Sequence, residues 1–225
     1  MPENRHVHIL DSVPELESSE HAGPVLVVSL DGFLDSGNAG RLTVEHLLGP
    51  GHEPFEHVDQ AAVQPGKVVA SFDVDAFYDY RARRPPISFV EDHYARYDTP
   101  RLVVRMLEDL SGTPYLLLHG PEPDTQWEAF IRAVRSVVDH FGVRLVVSLG
   151  SVPMAAPHTR PVTLTNHATR ADLLIQPNVW RGEIRVPSSA VSLLELRLGE
   201  WGTPRWASSP TCRTTSPRRT TRPRR

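Results

Sequence analysis

With one cysteine, Cys212, the chain cannot form an intrachain disulfide or a multi-cysteine zinc site. No apolar run approaches the roughly 18 residues of a membrane span, and the opening MPENRHVHIL lacks a signal-peptide core. A cytoplasmic protein without membrane attachment is expected. Nucleophile elbow, phosphate loop and paired metal ligands at a defensible spacing are all missing, so neither a metal nor a cofactor is expected. Acidic residues are absent from 203–225, which hold seven Arg and no Lys. Setting those seven aside leaves 17 basic residues against 27 acidic ones in the rest of the chain. So acidic a body excludes general nucleic-acid binding.

What is present is an α/β pattern. An apolar content of 40% and a charged content of 23% suit a globular chain, and 225 residues suffice for one large α/β domain. The chain reads outward from VLVVSLDGFLDSGNAG, residues 25–40. Val25 to Leu30 is uncharged and β-branched, as a buried strand is. Asp31-Gly32 breaks the run, and a helical pattern follows over 36–48, stopped by Gly49-Pro50. In open α/β sheets a ligand crevice lies beyond the carboxyl ends of such strands, which singles out Asp31, Gly32, Asp35 and Asn38. The same residue types also serve simply to turn the chain and cap the helix.

Further strands are expected at 68–72, 115–119, 143–149, 162–166 and 184–186, with helices over the stretch after Thr125 and over 188–198. Thr125 with Glu128 has the spacing of a capping box, and Ser188 or Ser189 caps the last helix. Residues 87–91 and 101–109 are read as a β-hairpin across a ten-residue gap containing Asp98-Thr99-Pro100. Asp73, Asp75 and Asp79 lack the glycine and glutamate of a calcium loop and read as strand-end and helix-start acids. His52, Glu53, Glu56, His57 and Asp59 match no metal-binding spacing and read as a solvated loop. Two more strand ends carry candidate residues: His119, Gly120 and Glu122 after one, and Gly150 with His158, Thr159 and Arg160 after the other. Altogether this predicts a three-layer, mostly parallel α/β sheet over 23–202, with a hairpin insertion near 87–109 and a mobile lead-in over 1–22.

The tail TPRWASSPTCRTTSPRRTTRPRR has no hydrophobic periodicity and is expected to be disordered. A basic arm is one reading. The genetic code offers another: in the frame that starts at each third base, Trp206-Ala207 must give glycine. With TCN serine codons, Ala207-Ser208, Ser208-Ser209 and Thr215-Ser216 must give apolar residues. The shifted text then reads as a strand running into a helix, so residues after about Gly202 are taken as out of frame.

SLDGFLDSGNAG, FDVDAFYDYRARRP, LLLHGPEPDTQWEAF and LGSVPMAAPHTRPV, in that order, resemble the actinobacterial proteins of the proteasome assembly chaperone family. The resemblance covers roughly Val25 to Gly202. It implies a phosphorylase/hydrolase-like α/β core, a β-hairpin used in forming a homotrimer, and a C-terminal lid over a ligand cleft. The lid is missing here. Proteasome-related proteins are the partners that the resemblance suggests. A protein-binding or assembly factor is therefore favoured over the alternative, a small-ligand-binding or hydrolase/phosphorylase-like enzyme using the same cleft.

Overall fold

The computed structural model describes residues 4–17, 23–49, 66–154, 164–174, 182–203 and 205–213, the last as backbone alone. In chain order, β1 (Val7–Ile9) and α1 (Pro14–Glu17) lead to β2 (Val25–Asp31). A 3-10 turn over Ser36–Asn38 opens α2 (Ala39–Leu48), and β3 (Lys67–Phe72) and α3 (Val74–Phe77) follow. Next come β4 (Ile87–Val90), β5 (His93–Tyr97), β6 (Val103–Glu108), β7 (Pro114–Pro121) and α4 (Trp127–His140). The chain continues through β8 (Leu145–Leu149), β9 (Val152–Met154), β10 (Leu164–Ala168), α5 (Ala190–Glu200) and β11 (Arg205–Arg213).

Nine strands form one mixed sheet in the order β1-β3-β6-β7-β2-β8-β11-β10, with β9 also paired to β11. Its centre, β7-β2-β8-β11, is parallel, and antiparallel strands flank it on both sides. Side chains alternate across this centre as a strand requires. Leu26, Val28, Leu116 and Leu118 pack with Ile131 and Val134 of α4 and Leu194 and Leu198 of α5. The intervening Val27 and Leu117 meet Val44 and Leu48 of α2 on the other face. Helix, sheet and helix make the expected three layers.

Several expectations are corrected. The hairpin is β4–β5, closed by Glu91 and Asp92 with Val90 opposite His93. Glu91 takes a left-handed φ of 52° to make that turn. A two-residue loop brings a partner strand closer than a ten-residue loop does. Leu102–Leu107 is nearly all apolar and goes instead into the sheet, where both its faces are covered. The strand expected at 184–186 does not form; Ile184 and Val186 stand exposed between Gly182 and Pro187. The capping box at Thr125 is also absent: α4 starts from Gln126 in a left-handed conformation. Thr125 Oγ1 and Gln126 Nε2 both donate to the Ala76 carbonyl, which spends the threonine on joining α4 to α3. Ser189 caps α5 as expected, in a box with Ser192.

The lead-in is not featureless, since β1 pairs with β3 and Leu16 of α1 joins the core. Within the tail, the backbone of β11 runs between β8 and β10. Residues 214–225 lie outside the described residues.

Candidate functional site at the carboxyl rim

Parallel pairing of β7, β2 and β8 sends their polar ends to one rim. Ser36 N–H donates to the Ser151 carbonyl at 3.2 Å, Ser151 N–H donates to Leu34 at 2.8 Å, and Ser151 Oγ donates to the Ser36 carbonyl at 2.7 Å. These bonds zip the turn after β2 to the turn after β8. On the other side Glu122 N–H donates to the Asp31 carbonyl at 3.0 Å. Asp31, Gly32, Asp35, Glu122 and Gly150 are thus brought together, with Asn38 exposed at the start of α2. His158, Thr159 and Arg160 lie outside the described residues, as do His52, Glu53, Glu56, His57 and Asp59.

Two of the acids have structural duties. Asp35 accepts the Gly40 N–H at 2.6 Å and the Arg41 N–H at 3.3 Å, so its carboxylate caps α2 from outside the helix. Gly40 permits this: a Cβ there would lie 3.0 Å from Ser29 Oγ and 3.2 Å from Asp35 Oδ1. Glu122 accepts the Phe33 N–H at 2.8 Å on Oε2 and the Ala190 N–H at 2.7 Å on Oε1. It therefore ties the turn after β2 to the N-terminus of α5. Gly32 is dictated by that tie, because a Cβ would sit 1.9 Å from Glu122 Oε2. Arg83 braces the same turn, donating to the Glu122 carbonyl and to Asp124 Oδ2, both at 2.6 Å, with its guanidinium 4.7 Å from the Tyr78 ring centre.

Asp31 is held differently. Burial, and then the negative charge of Asp35, push its carboxyl up to about 6. A carboxyl titrating there can hold or release a proton near neutral pH, or attract a cation or a hydrogen-bond donor. The α2 N-terminus already holds the Asp35 carboxylate, which leaves that helix end a poor seat for a phosphate.

His119 is buried, on the sheet face covered by α2, and Gly120 lets the backbone approach Arg101: a Cβ would meet its carbonyl oxygen at 2.1 Å. Arg105 Nε donates to His119 Nε2 at 3.2 Å, which requires the proton of a neutral His119 on Nδ1. Arg105, itself only 4% exposed, was missed in the sequence. Its signal is a lone cation inside an otherwise apolar run, Leu102 to Leu107. Ser29 and Ser151, also buried, were not singled out either. A concavity of about 690 Å³ lies between α2 and the sheet, opening at the amino ends of β2 and β7 and reaching Leu149 of β8. Among the described residues no His, Cys, Asp or Glu cluster is placed to hold a metal, and no helix is long and apolar enough to cross a membrane.

The raised Asp31 carboxyl sets a pH dependence with a definite sign. An unfolded aspartate titrates near 4. Between about pH 4 and 6 the folded chain keeps a proton that the unfolded chain has released, so stability falls as pH rises through that window. Asp31→Asn should remove this slope and stabilise the chain at pH 7–8 by about 1–2 kcal/mol, allowing for partial solvent screening. Urea unfolding of both proteins across pH 4–8 measures it; parallel profiles would place Asp31 at an ordinary carboxylate value.

The same architecture is found in known proteins. A family model described as the PAC2 family matches residues 29–217. A Mycobacterium tuberculosis protein of unknown function, Rv2714, is 40% identical and superposes with a TM-score of 0.78 over 95% of this chain and 70% of its own. A Corynebacterium glutamicum protein of unknown function is 31% identical, with a TM-score of 0.77 over 93% of this chain and 73% of its own. The Mycobacterium tuberculosis proteasome-assembly chaperone homologue Rv2125 shares the fold at 23% identity, with a TM-score of 0.69 over 84% of this chain and 75% of its own. No curated protein matches the sequence. With a family match across most of its length and neighbours of this identity, the chain belongs to the PAC2 family.

Proposed function

We propose that this PAC2-family chain is a homo-oligomeric binding or assembly factor whose copies meet through the β4–β5 hairpin. The observation that carries this is the hairpin's exposure. All nine residues of its two strands are exposed, among them Ile87 (52%), Phe89 (61%) and Tyr94 (70%). A lone two-stranded ribbon is marginal in water, and this one adds to its backbone ladder a Phe89–Tyr94 edge contact with ring centres 5.2 Å apart. So much apolar surface on so small an element marks a protein contact. A trimer is the state that the family resemblance suggests. Likeness in fold to the proteasome-assembly chaperone homologue points to proteasome-related proteins as the wider partners.

In this reading the carboxyl rim is a small-ligand cleft, bounded by Asp31, Gly32, Asp35, Asn38, His119, Gly120, Glu122 and Gly150, with His158, Thr159 and Arg160 assigned to it from the sequence. Asp31 favours a second reading, in which the cleft also does acid–base chemistry: its carboxyl, at the rim, is poised near neutral pH. The reading also takes residues after about Gly202 as out of frame. Supporting this, the backbone of Arg205–Arg213 occupies an interior place in the sheet, yet Pro210 there stands opposite Leu164, and proline cannot donate to a ladder.

Light scattering tests the hairpin's role. The chain should run as an oligomer and Phe89→Arg/Tyr94→Arg as a folded monomer; an oligomer that survives both substitutions contradicts it. Retention on an immobilised actinobacterial 20S core particle is expected, and no retention counts against a proteasome partner. Resequencing the coding DNA decides the frame: an intact frame shared with close relatives of the gene would end that part.

A further inference from the structure

Two acids stand at the ends of the turn after β2, and they are held in opposite ways. Asp35 gives its carboxylate to the N–H groups of Gly40 and Arg41, at 2.6 and 3.3 Å. Asp31 is half-buried, and no hydrogen bond from the described residues reaches its carboxyl. Ser29, two residues before Asp31, is on the same face of β2. A Cβ added at Gly40 would stand 3.0 Å from Ser29 Oγ and 3.2 Å from Asp35 Oδ1, so this face of β2 and the cap are in close contact.

The charged groups that act on Asp31 are Asp35 from the turn, Arg41 and Glu45 from α2, and Arg83 from the segment before β4. Arg41 is already paired with Glu45 at 3.3 Å, and Arg83 with Asp124 at 2.6 Å. Glu122, after β7, spends its carboxylate on the N–H groups of Phe33 and Ala190, and His119 lies beside Ser29, a step down the face. An ionised Asp31 therefore faces Asp35 across a half-buried space whose cations are engaged elsewhere, and like charges so placed repel. Of the two acids, Asp35 is the one able to move. β2 is paired on both sides, whereas the turn is held by three hydrogen bonds with Ser151 and by its own cap. Within it Gly37 and Asn38 are left-handed, at φ 71° and 58°, which strains Asn38 as long as the turn stays closed.

We propose that Asp31 and Asp35 form a proton-operated latch on the turn after β2. A proton on Asp31 leaves the Asp35 cap and the bonds between Ser36 and Ser151 closed; loss of that proton sets two carboxylates against each other and loosens both. The Asp31 carboxyl, pushed up to about 6 first by burial and then by Asp35, places the step just below neutral pH. The latch regulates the cleft of the proposed function and rests, for its use, on that cleft receiving a ligand. Parting the turns after β2 and β8 opens the cleft from that side, so entry is easier above the step than below it.

Amide exchange followed by NMR, corrected for intrinsic rates, reads the latch. From about pH 5 to about pH 7.5, protection at Ser36, Gly40 and Arg41 should fall together by about three- to tenfold, the range for a coupling of half to one pKa unit. In Asp31→Asn it should stay at its low-pH level throughout. The Gly40 amide shift should titrate with the same midpoint as the Asp31 side-chain carbon. Unchanged protection overturns the latch, and so does a fall that survives in Asp31→Asn. Should that variant fail to fold, the two midpoints in the parent chain decide: values more than about one pH unit apart contradict the proposal. None of these readouts needs a ligand. A flat profile therefore overturns the latch and leaves the cleft itself standing as a binding site.

Discussion

Both oxygens of the Glu122 carboxylate are committed to backbone N–H groups, one from the turn after β2 and one from the first residue of α5. The carboxyl rim takes its form from that commitment. Charge-assisted bonds to backbone donors are among the stronger hydrogen bonds of a protein, and one of these lies at a helix N-terminus, where negative charge is favoured. The tie in turn demands a glycine at 32, and the main chain of Glu122 closes the β2–β7 pair at its end. Three stretches far apart in sequence thus meet at one side chain. What remains free to meet a ligand is narrower than the set of acids at the rim, because Asp35 and Glu122 are occupied and Asp31 is not engaged as a cap.

Under the rim the α2 face of the sheet is polar where an apolar layer would be cheaper. Ser29 and the Arg105–His119 pair are buried there, next to a layer of Leu107, Leu117 and Val44. A buried cation costs several kcal/mol of lost hydration unless its donors are met, and Arg105 meets His119 there. The hairpin breaks the same rule on the outside, presenting apolar side chains to water. Both departures fall at places where the chain is read as binding something.

Much of the layer plan was legible in the sequence. Val25–Leu30, Tyr115–His119 and Val143–Leu149 are short apolar runs ending in polar, glycine-bearing turns, and they are central parallel strands with their ends on one rim. Pairing partners were less legible, because periodicity reports which face is buried and says nothing about which neighbour covers it. Residues 101–109 are therefore matched to the hairpin from the sequence, whereas the run from Leu102 to Leu107, apolar but for Arg105, lies in the sheet. Site roles depended on contacts at long range in sequence. Residue type alone marks Glu122 and Asp35 as ligand candidates, and it does not reveal that their carboxylates accept backbone N–H groups. Arg105 could not be matched to His119 without the register of β6 on β7.

Amide hydrogen exchange at single-residue resolution tests the rim most directly. If the Glu122 carboxylate holds both turns, Glu122→Ala should speed exchange at Phe33 and at Ala190 together, leaving amides in the middle of β2 and α4 as they were. Loss of protection at only one of the two, or at neither, would contradict the account, because the two segments would then be held by something other than the side chain they share.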